Sequence, residues 1–376
     1  MRFILPVFLL LVVGTALAQN DHSHRLGRVV QFPDIPGYKT LKTDLHMHSV
    51  FSDGSVWPDI RVQEALMDGL DAISLTEHLE YQPHKADIPH PDRNRSYELA
   101  RKEAEGHDLI IIRGSEITRS MPPGHNNAVF IQDANKLIMK DSVAVFRAAR
   151  DQGAFVFWNH PDWTAQRKDG IARLTDMHRN LLRDKLLHGI EVVNDQTYSD
   201  EALQIALDNN LTIIGTSDVH GLVDWTFLAP GLAGQRPVTL VFATERTAES
   251  IRDGLMNRRT VVAYKDLLIG RPEFLVPLVQ ASLSFKDVVY EKGTSVLSAT
   301  IVNHSSAAMT LRNKSGYSLR HSGDVFTVPA RGEMRFSVRT RDVLTRVKLG
   351  FEVLNAVQAP NVHPVVTWES DIASGK

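Results

Sequence analysis

The sequence predicts an α/β protein: a (β/α) barrel of about seven parallel strands, followed by a small C-terminal all-β, sandwich-like domain. Three observations carry this reading. Short apolar runs alternate with helical patterns through the first two thirds of the chain, as in parallel β/α units. Polar residues fall at or just past the C-terminal ends of those runs. Near Gly270-Arg271-Pro272 the alternation stops, and short β-branched and aromatic runs with turn clusters replace it.

Taken in order, the predicted strands are Thr43–His48, Ala72–Leu75, Leu109–Arg113, Ala128–Ile131, Phe155–Asn159, Ile190–Val193 and Thr212–Gly215. Between them lie helical patterns at Pro58–Met67, Arg95–Glu105, Ser142–Asp151 and Asp200–Asn209. The first begins on a proline and has Gly69 just past its end, the usual start and stop chemistry. His48, His78, Glu116, His160, Asn194, Asp218 and His220 all sit at or beyond a strand's C-terminal end. A barrel gathers its site at that face from several strands, whereas an open doubly wound sheet, the runner-up, gathers it at one switch point. A further strand and helix follow at Pro237–Ala243 and Ala248–Asn257. The tail shows strand-like runs such as Val296–Val302, Asp324–Val328 and Arg335–Val338, with no long helix; a module of this size holds about seven strands. The expected organisation is a leader at 1–18, the barrel domain at 19–270 and the sandwich at 271–376.

A chain of 376 residues favours two domains and allows a sizeable core. Met1–Ala18 reads as a cleaved leader: Arg2 is the positive start, Phe3–Val13 the apolar stretch and Ala16-Leu17-Ala18 the small-residue site. The apolar stretch is short for a membrane span, and export to the periplasm or outside the cell is expected. Without that segment, 41 basic residues face 44 acidic ones, and no basic tract suggests a nucleic-acid surface. There are no cysteines, so any metal site must use histidine and carboxylate ligands.

Such ligands are abundant. In Asp44-Leu45-His46-Met47-His48-Ser49 the two imidazoles are two residues apart on a strand and share a face. Six of the sixteen histidines (His46, His48, His78, His125, His160 and His220) fall at strand ends or directly after strand-like segments. Three carboxylates join them: Asp53 in Ser52-Asp53-Gly54, Glu116 in Gly114-Ser115-Glu116, and Asp218 in Ser217-Asp218-Val219-His220. Asp53 has an alternative as a turn residue or helix cap. The other histidines, including His22, His24, His178, His188 and His304, read as surface or turn residues.

With this order of ligands the stretch from Asp44 to His220 resembles the polymerase and histidinol phosphatase (PHP) family of metal-dependent phosphoesterases. The resemblance implies a distorted barrel of seven β/α units holding up to three divalent ions, Mn, Zn or Fe. It implies that His46, His48, Glu116 and Asp218 hold one ion. Glu116 would bridge to a second ion held by His125 and His160, and Asp53, His78 and His220 would hold the third. Exported relatives with a β-rich tail look like phosphodiesterases, which implies a small phosphate-ester substrate. Glu77 stands where many relatives carry Asp, on the opposite strand face from His78.

The chemistry follows from general principles. Several cations within ~4 Å of one another lower the pKa of a bridging water and clamp phosphoryl oxygens, so an in-line displacement needs mainly positioning. Asp162, His84 and His220 are the candidates to protonate the leaving alkoxide. Asp44, on the same face as His46, is expected to accept a ligand imidazole N–H from behind, and Glu191 and Asn194 are candidates for similar support. Arg119, Tyr81 and Lys85 lie on loops over the same face and are possible substrate contacts, each with an equal claim to be a solvated loop residue. Trp158 reads as core packing. Three other readings stay open: a phosphomonoesterase, an amidohydrolase-type C–N hydrolase, whose usual carboxylated-lysine bridge Glu116 would replace, and a non-catalytic surface module. No partner for the tail can be named from these residues.

Overall fold

The computed structural model describes residues 28–228 and 234–372. The predicted leader, His22 and His24 lie outside the described residues. The larger domain is built from β1 (Lys39–Asp44), β2 (Ala72–Ile73), β3 (Ile110–Ile111), β4 (Gly114–Ile117), β5 (Asn126–Val129) and β6 (Phe155–Trp158). It continues with β7 (Gly189–Asn194), β8 (Thr197–Tyr198), β9 (Thr212–Thr216), β10 (Val238–Ala243), β11 (Thr260–Tyr264) and β12 (Leu267–Gly270). Helices occupy the predicted intervals; Pro58–Asp68, for example, starts on its proline and stops on left-handed Gly69, φ 67°.

The expectation of one parallel seven-stranded barrel is corrected. The strands form two mixed sheets that do not close into a single ladder. In one, β1 pairs antiparallel with β10 and parallel with β2, and β10, β11 and β12 meander antiparallel. In the other, β4, β5 and β6 are antiparallel, while β6, β7 and β9 run parallel. The physical reason lies in the connections. A parallel neighbour needs a crossover of a dozen or more residues, but only the loop carrying Met121-Pro122-Pro123 joins β4 to β5, and Lys265-Asp266 alone joins β11 to β12. The sheets touch through isolated parallel bridges, Met47 to Val219 and His78 to Glu116. Each bridge falls at or beside candidate ligands, so these residues cluster where the two sheets meet.

The tail folds as two four-stranded antiparallel sheets among the described residues. One contains Leu283–Tyr290, Val296–Asn303, Ser318–Arg320 and Glu333–Arg339; the other contains Met309–Asn313, Val325–Val328, Arg346–Val353 and Val365–Asp371. Alternating burial along Arg346–Val353 sends Val347, Leu349 and Phe351 inward, where Phe351 meets Phe326, Phe336 and Trp368 at centroid separations of 5.7–6.0 Å. A helix missed in the sequence, Pro272–Ser282, leads into the first sandwich strand with Pro277 inside it. Its apolar composition and internal proline hid it.

The two domains share one apolar core containing Leu268, Leu275, Met309 and Ala356. They also share backbone pairing: Ala356–Val357, from the tail, adds a parallel strand to β12. Leu268 N donates to Asn355 O at 2.9 Å, and Ser306 N to Gln31 O at 2.8 Å.

Candidate metal centre

The chain leaves β1 at Asp44 and stays extended, so Leu45 and Met47 enter the core while His46 and His48 turn to the other side, all four fully buried. The Nε2 atoms of His46 and His48 are 3.1 Å apart, and Asp218 Oδ1 lies 3.1 and 3.2 Å from them. Glu116, on β4, is the hub. Its Oε1 is 3.0 Å from His125 Nδ1, 3.7 Å from His160 Nε2 and 3.8 Å from His46 Nε2. Its Oε2 is 2.5 Å from His78 Nδ1 and 3.7 Å from His48 Nε2. Asp53 closes the far side, with Oδ1 at 3.2 Å from His220 Nε2 and Oδ2 at 3.3 Å from His78 Nε2.

Ligand atoms within 4.8 Å of one another fall into three sets: His48, Asp53, His78 and His220; His46, His48 and Glu116; His78, Glu116 and His125. Seven of the nine residues expected as ligands belong to these sets, and Asp218 and His160 adjoin them through His46, His48 and Glu116. The sets overlap at His48, His78 and Glu116, a less partitioned arrangement than the resemblance implies. Glu116 Oε2, Asp218 Oδ1, Asp53 Oδ1, His125 Nδ1 and His160 Nδ1 are buried and make no well-directed hydrogen bond, although all but His160 Nδ1 lie against an oppositely charged group of the cluster. Buried polar atoms are normally satisfied by directed hydrogen bonds, so this concentration of carboxylates and imidazoles without them fits divalent cations.

Electrostatics tell the same story. Burial pushes the His46 imidazole down, but Asp218 and Glu191 overcome it and raise it to about 10. His78 is likewise raised to about 11 against burial, by Glu116 and Asp53. Burial takes His48 down to about 4, with His220 and His78 adding their repulsion. Burial opposes ionisation of Asp53 and Asp218, yet their imidazole partners hold both far below the usual carboxylate range. The metal-free centre therefore keeps protons on His46 and His78 at neutral pH, and cations must displace them. The sign follows: stabilisation from these two raised imidazoles is complete below about pH 6.5 and fades as pH climbs through 10 and 11. Calorimetry of chelator-treated protein should show Tm falling from pH 6.5 to 10. Metal-loaded protein should resist that loss, because deprotonation favours its ions.

Behind the ligands stands Glu191, 1% exposed, which accepts from His46 Nδ1 (2.8 Å), His160 N (2.7 Å), Asn194 Nδ2 (2.9 Å) and Thr216 Oγ1 (2.6 Å). That bond leaves His46 Nε2 free for a cation. Asn194 also donates to Asp218 Oδ2 at 3.2 Å. The role expected of Asp44 is corrected. Its buried carboxylate is taken by Ser217 Oγ (2.5 Å) and Arg236 Nη1 (3.2 Å), and Glu191 supports His46 instead. Glu77 stays off the ligand cluster but accepts from Ser52 Oγ at 2.5 Å, and Ser52 Oγ lies 3.1 Å from His48 Nδ1. His160 and Asp218 hold positive φ, 28° and 48°, a strained backbone at two candidate ligand positions.

The turn Ser52-Asp53-Gly54 needs its glycine for proximity. A Cβ at Gly54 would sit 2.7 Å from the backbone of His48 and Ser49. Gly54→Ala is expected to push Asp53 off its imidazoles and lower bound metal per chain, measured by elemental analysis. Unchanged metal content would contradict it.

Other candidates fall differently. Tyr81, 52% exposed, packs edge-on against His78. Arg119 pairs with Glu80 at 2.9 Å and donates to the Met139 carbonyl, so its charge is already engaged. Among the described residues, no ion pair or hydrogen bond ties His84 or Lys85 to a ligand; His84 contributes its carbonyl to a turn with Asp87 and Ile88. Asp162 is half-buried beside His160, and burial pushes its carboxyl up. His178 and His188 are not surface residues: His178 stacks on buried Trp158 at 4.0 Å and binds Pro123 O at 2.7 Å, and His188 Nδ1 accepts from Val156 N at 3.0 Å. Trp163, unnoticed in the sequence, touches both His125 and His160. Its place three residues after His160 was the only signal.

A family model described as an Ig-like domain matches residues 283–369. No curated protein matches the chain. Among solved structures, a two-domain protein from Bacteroides vulgatus ATCC 8482, containing a predicted PHP-like metal-dependent phosphoesterase, is 41% identical. The match covers 91% of this chain and 98% of that one, with a TM-score of 0.84. This chain belongs to the PHP-like metal-dependent phosphoesterase family. A protein from Bifidobacterium adolescentis ATCC 15703, itself only proposed to be a metal-dependent phosphoesterase, is 17% identical over 52% of this chain and 93% of its own. Its TM-score is 0.39. The PHP-like assignment and the His/Asp/Glu cluster together identify a metal-dependent hydrolase of phosphate esters, with an Ig-like C-terminal domain.

Proposed function

We propose that this PHP-like protein is an exported phosphodiesterase working at a centre of up to three divalent ions, with Mn, Zn or Fe best suited to the imidazole and carboxylate donors. The observation that carries the reading is the convergence of seven histidine and carboxylate side chains in three overlapping sets, with Asp218 and His160 against them, where two sheets meet. When bound, such ions lower the pKa of a coordinated water and offset charge on phosphoryl oxygens. The chain's own residues do the rest. Glu191 and Ser52 fix the His46 and His48 rings. Asn159 Nδ2 donates to Glu116 Oε1 at 2.9 Å and orients the hub. Asp162, whose carboxyl is raised by burial, is the residue we assign to give a proton to a departing alkoxide, since His220 is committed to the cluster through Nε2 and to the Asp218 carbonyl through Nδ1. A diester suits the rim because Arg119, on the loop after Glu116, is neutralised by Glu80 and leaves less to meet a monoester's second charge. The leader pattern at Met1–Ala18 supports export.

The test is kcat/KM of the metal-loaded full chain on bis-p-nitrophenyl phosphate and p-nitrophenyl phosphate. Diester preference, abolished by chelation, is the expected result. Monoester preference would move the protein to the alternative class, and no turnover of any phosphate ester would overturn the reading.

A further inference from the structure

Two exposed rings stand against the ligand imidazoles. Trp163 places its ring centroid 5.1 Å from His160 and 5.5 Å from His125, at interplanar angles of 69° and 57°. Neither imidazole stacks on its face, and the residue stays 45% exposed. Tyr81 meets His78 at 5.7 Å and 72°. Each ring is the third residue after a ligand, His160 to Trp163 and His78 to Tyr81. The turn under Trp163 is fixed: its N–H donates to His160 O at 3.0 Å, and its carbonyl accepts from Gln166 N at 2.9 Å and Arg167 N at 2.8 Å. An exposed tryptophan is unremarkable when it stands alone. This one is held against two ligands, whereas Trp225, at 70% exposure, makes no ring contact with any ligand imidazole among the described residues.

We propose that Trp163, with Tyr81 as a second wall, determines specificity by stacking on an organic arm of the substrate, which makes the substrate class a phosphodiester bearing at least one flat unsaturated ring. The inference rests on the diesterase reading. A half-exposed indole fixed beside a charge-stabilising centre offers a planar, low-entropy surface, and base or aryl stacking on such a surface is sequence-tolerant but favours flat groups. A methyl arm would find nothing there to cover.

Three diesters with a common p-nitrophenolate leaving group test this: the bis-p-nitrophenyl, thymidine 5′ and methyl esters. Leaving-group reactivity is then constant and only the retained arm varies. In metal-loaded full-length protein, Trp163→Ala should lower kcat/KM for the aryl or the thymidine ester about tenfold relative to the methyl ester, and Trp163→Phe should restore most of the ratio. The aryl and thymidine arms distinguish the two kinds of ring. Binding of phenylphosphonate and thymidine 5′-monophosphate by calorimetry should weaken in parallel, with metal per chain unchanged. An unaltered ratio, equal losses on all three esters, or lost metal in Trp163→Ala would overturn the proposal. A wild-type enzyme inactive on all three esters would instead remove the diesterase reading, a result distinct from an active enzyme whose selectivity ignores residue 163.

Discussion

Glu116→Gln is expected to empty most of the centre and to lower phosphoesterase activity by more than about a hundredfold. Removing a partner that merely orients a ligand costs about 10–100-fold in metal affinity or activity, and Glu116 faces the cluster itself. Both of its oxygens look at imidazoles, five in all: His46, His48, His78, His125 and His160. An amide keeps the shape but loses the charge and turns one end into a donor aimed at those rings. Elemental analysis of the purified variant and kcat/KM on a diester check the expectation. Full metal content with full activity would show that the hub is not a ligand.

Glu191→Ala should be the most destabilising single change near the site. It leaves fully buried His46 and Thr216, and the half-buried Asn194 side chain and His160 N–H, without this acceptor. Breaking a buried charged arrangement from one side costs about 3–5 kcal/mol. Denaturant unfolding of the metal-free variant should show that loss, and metal titration should show affinity weakened about 10–100-fold as the His46 ring loses its orientation. Glu191→Gln keeps an acceptor oxygen and should lose less on both measures. Equal stability of wild type and Glu191→Ala would mean that the four donors find other partners.

That the candidate ligands cluster was legible because local rules govern their placement. Alternation puts His46 and His48 on one face, and Asp218 and His220 repeat the spacing at the other end of the domain. The partners behind them were not legible. Asp44 shares a face with His46, yet it is claimed by Ser217 and by Arg236, 192 positions away, a choice that only the closed fold makes. Trp163 and the buried His178 depend equally on long-range packing. Most strand positions were readable from apolar runs, although β4, β8, β11 and β12 were missed and β1 runs Lys39–Asp44 rather than Thr43–His48; strand direction was not readable, because direction depends on how each loop returns. The eight residues between β4 and β5 could have shown that reversal in advance, since no crossover fits there.

The short strand Ala356–Val357 changes how the Ig-like unit should be regarded. It works less as a pendant than as a clasp over the flank of its neighbour. Cutting the polypeptide after Ser282 would leave β12 with a bare edge and uncover apolar side chains around Leu268 and Leu275, the kind of surface on which copies associate. The catalytic half expressed alone should therefore oligomerise or precipitate, and grafting the module onto another enzyme would transfer the lid without the rim it was shaped to seal.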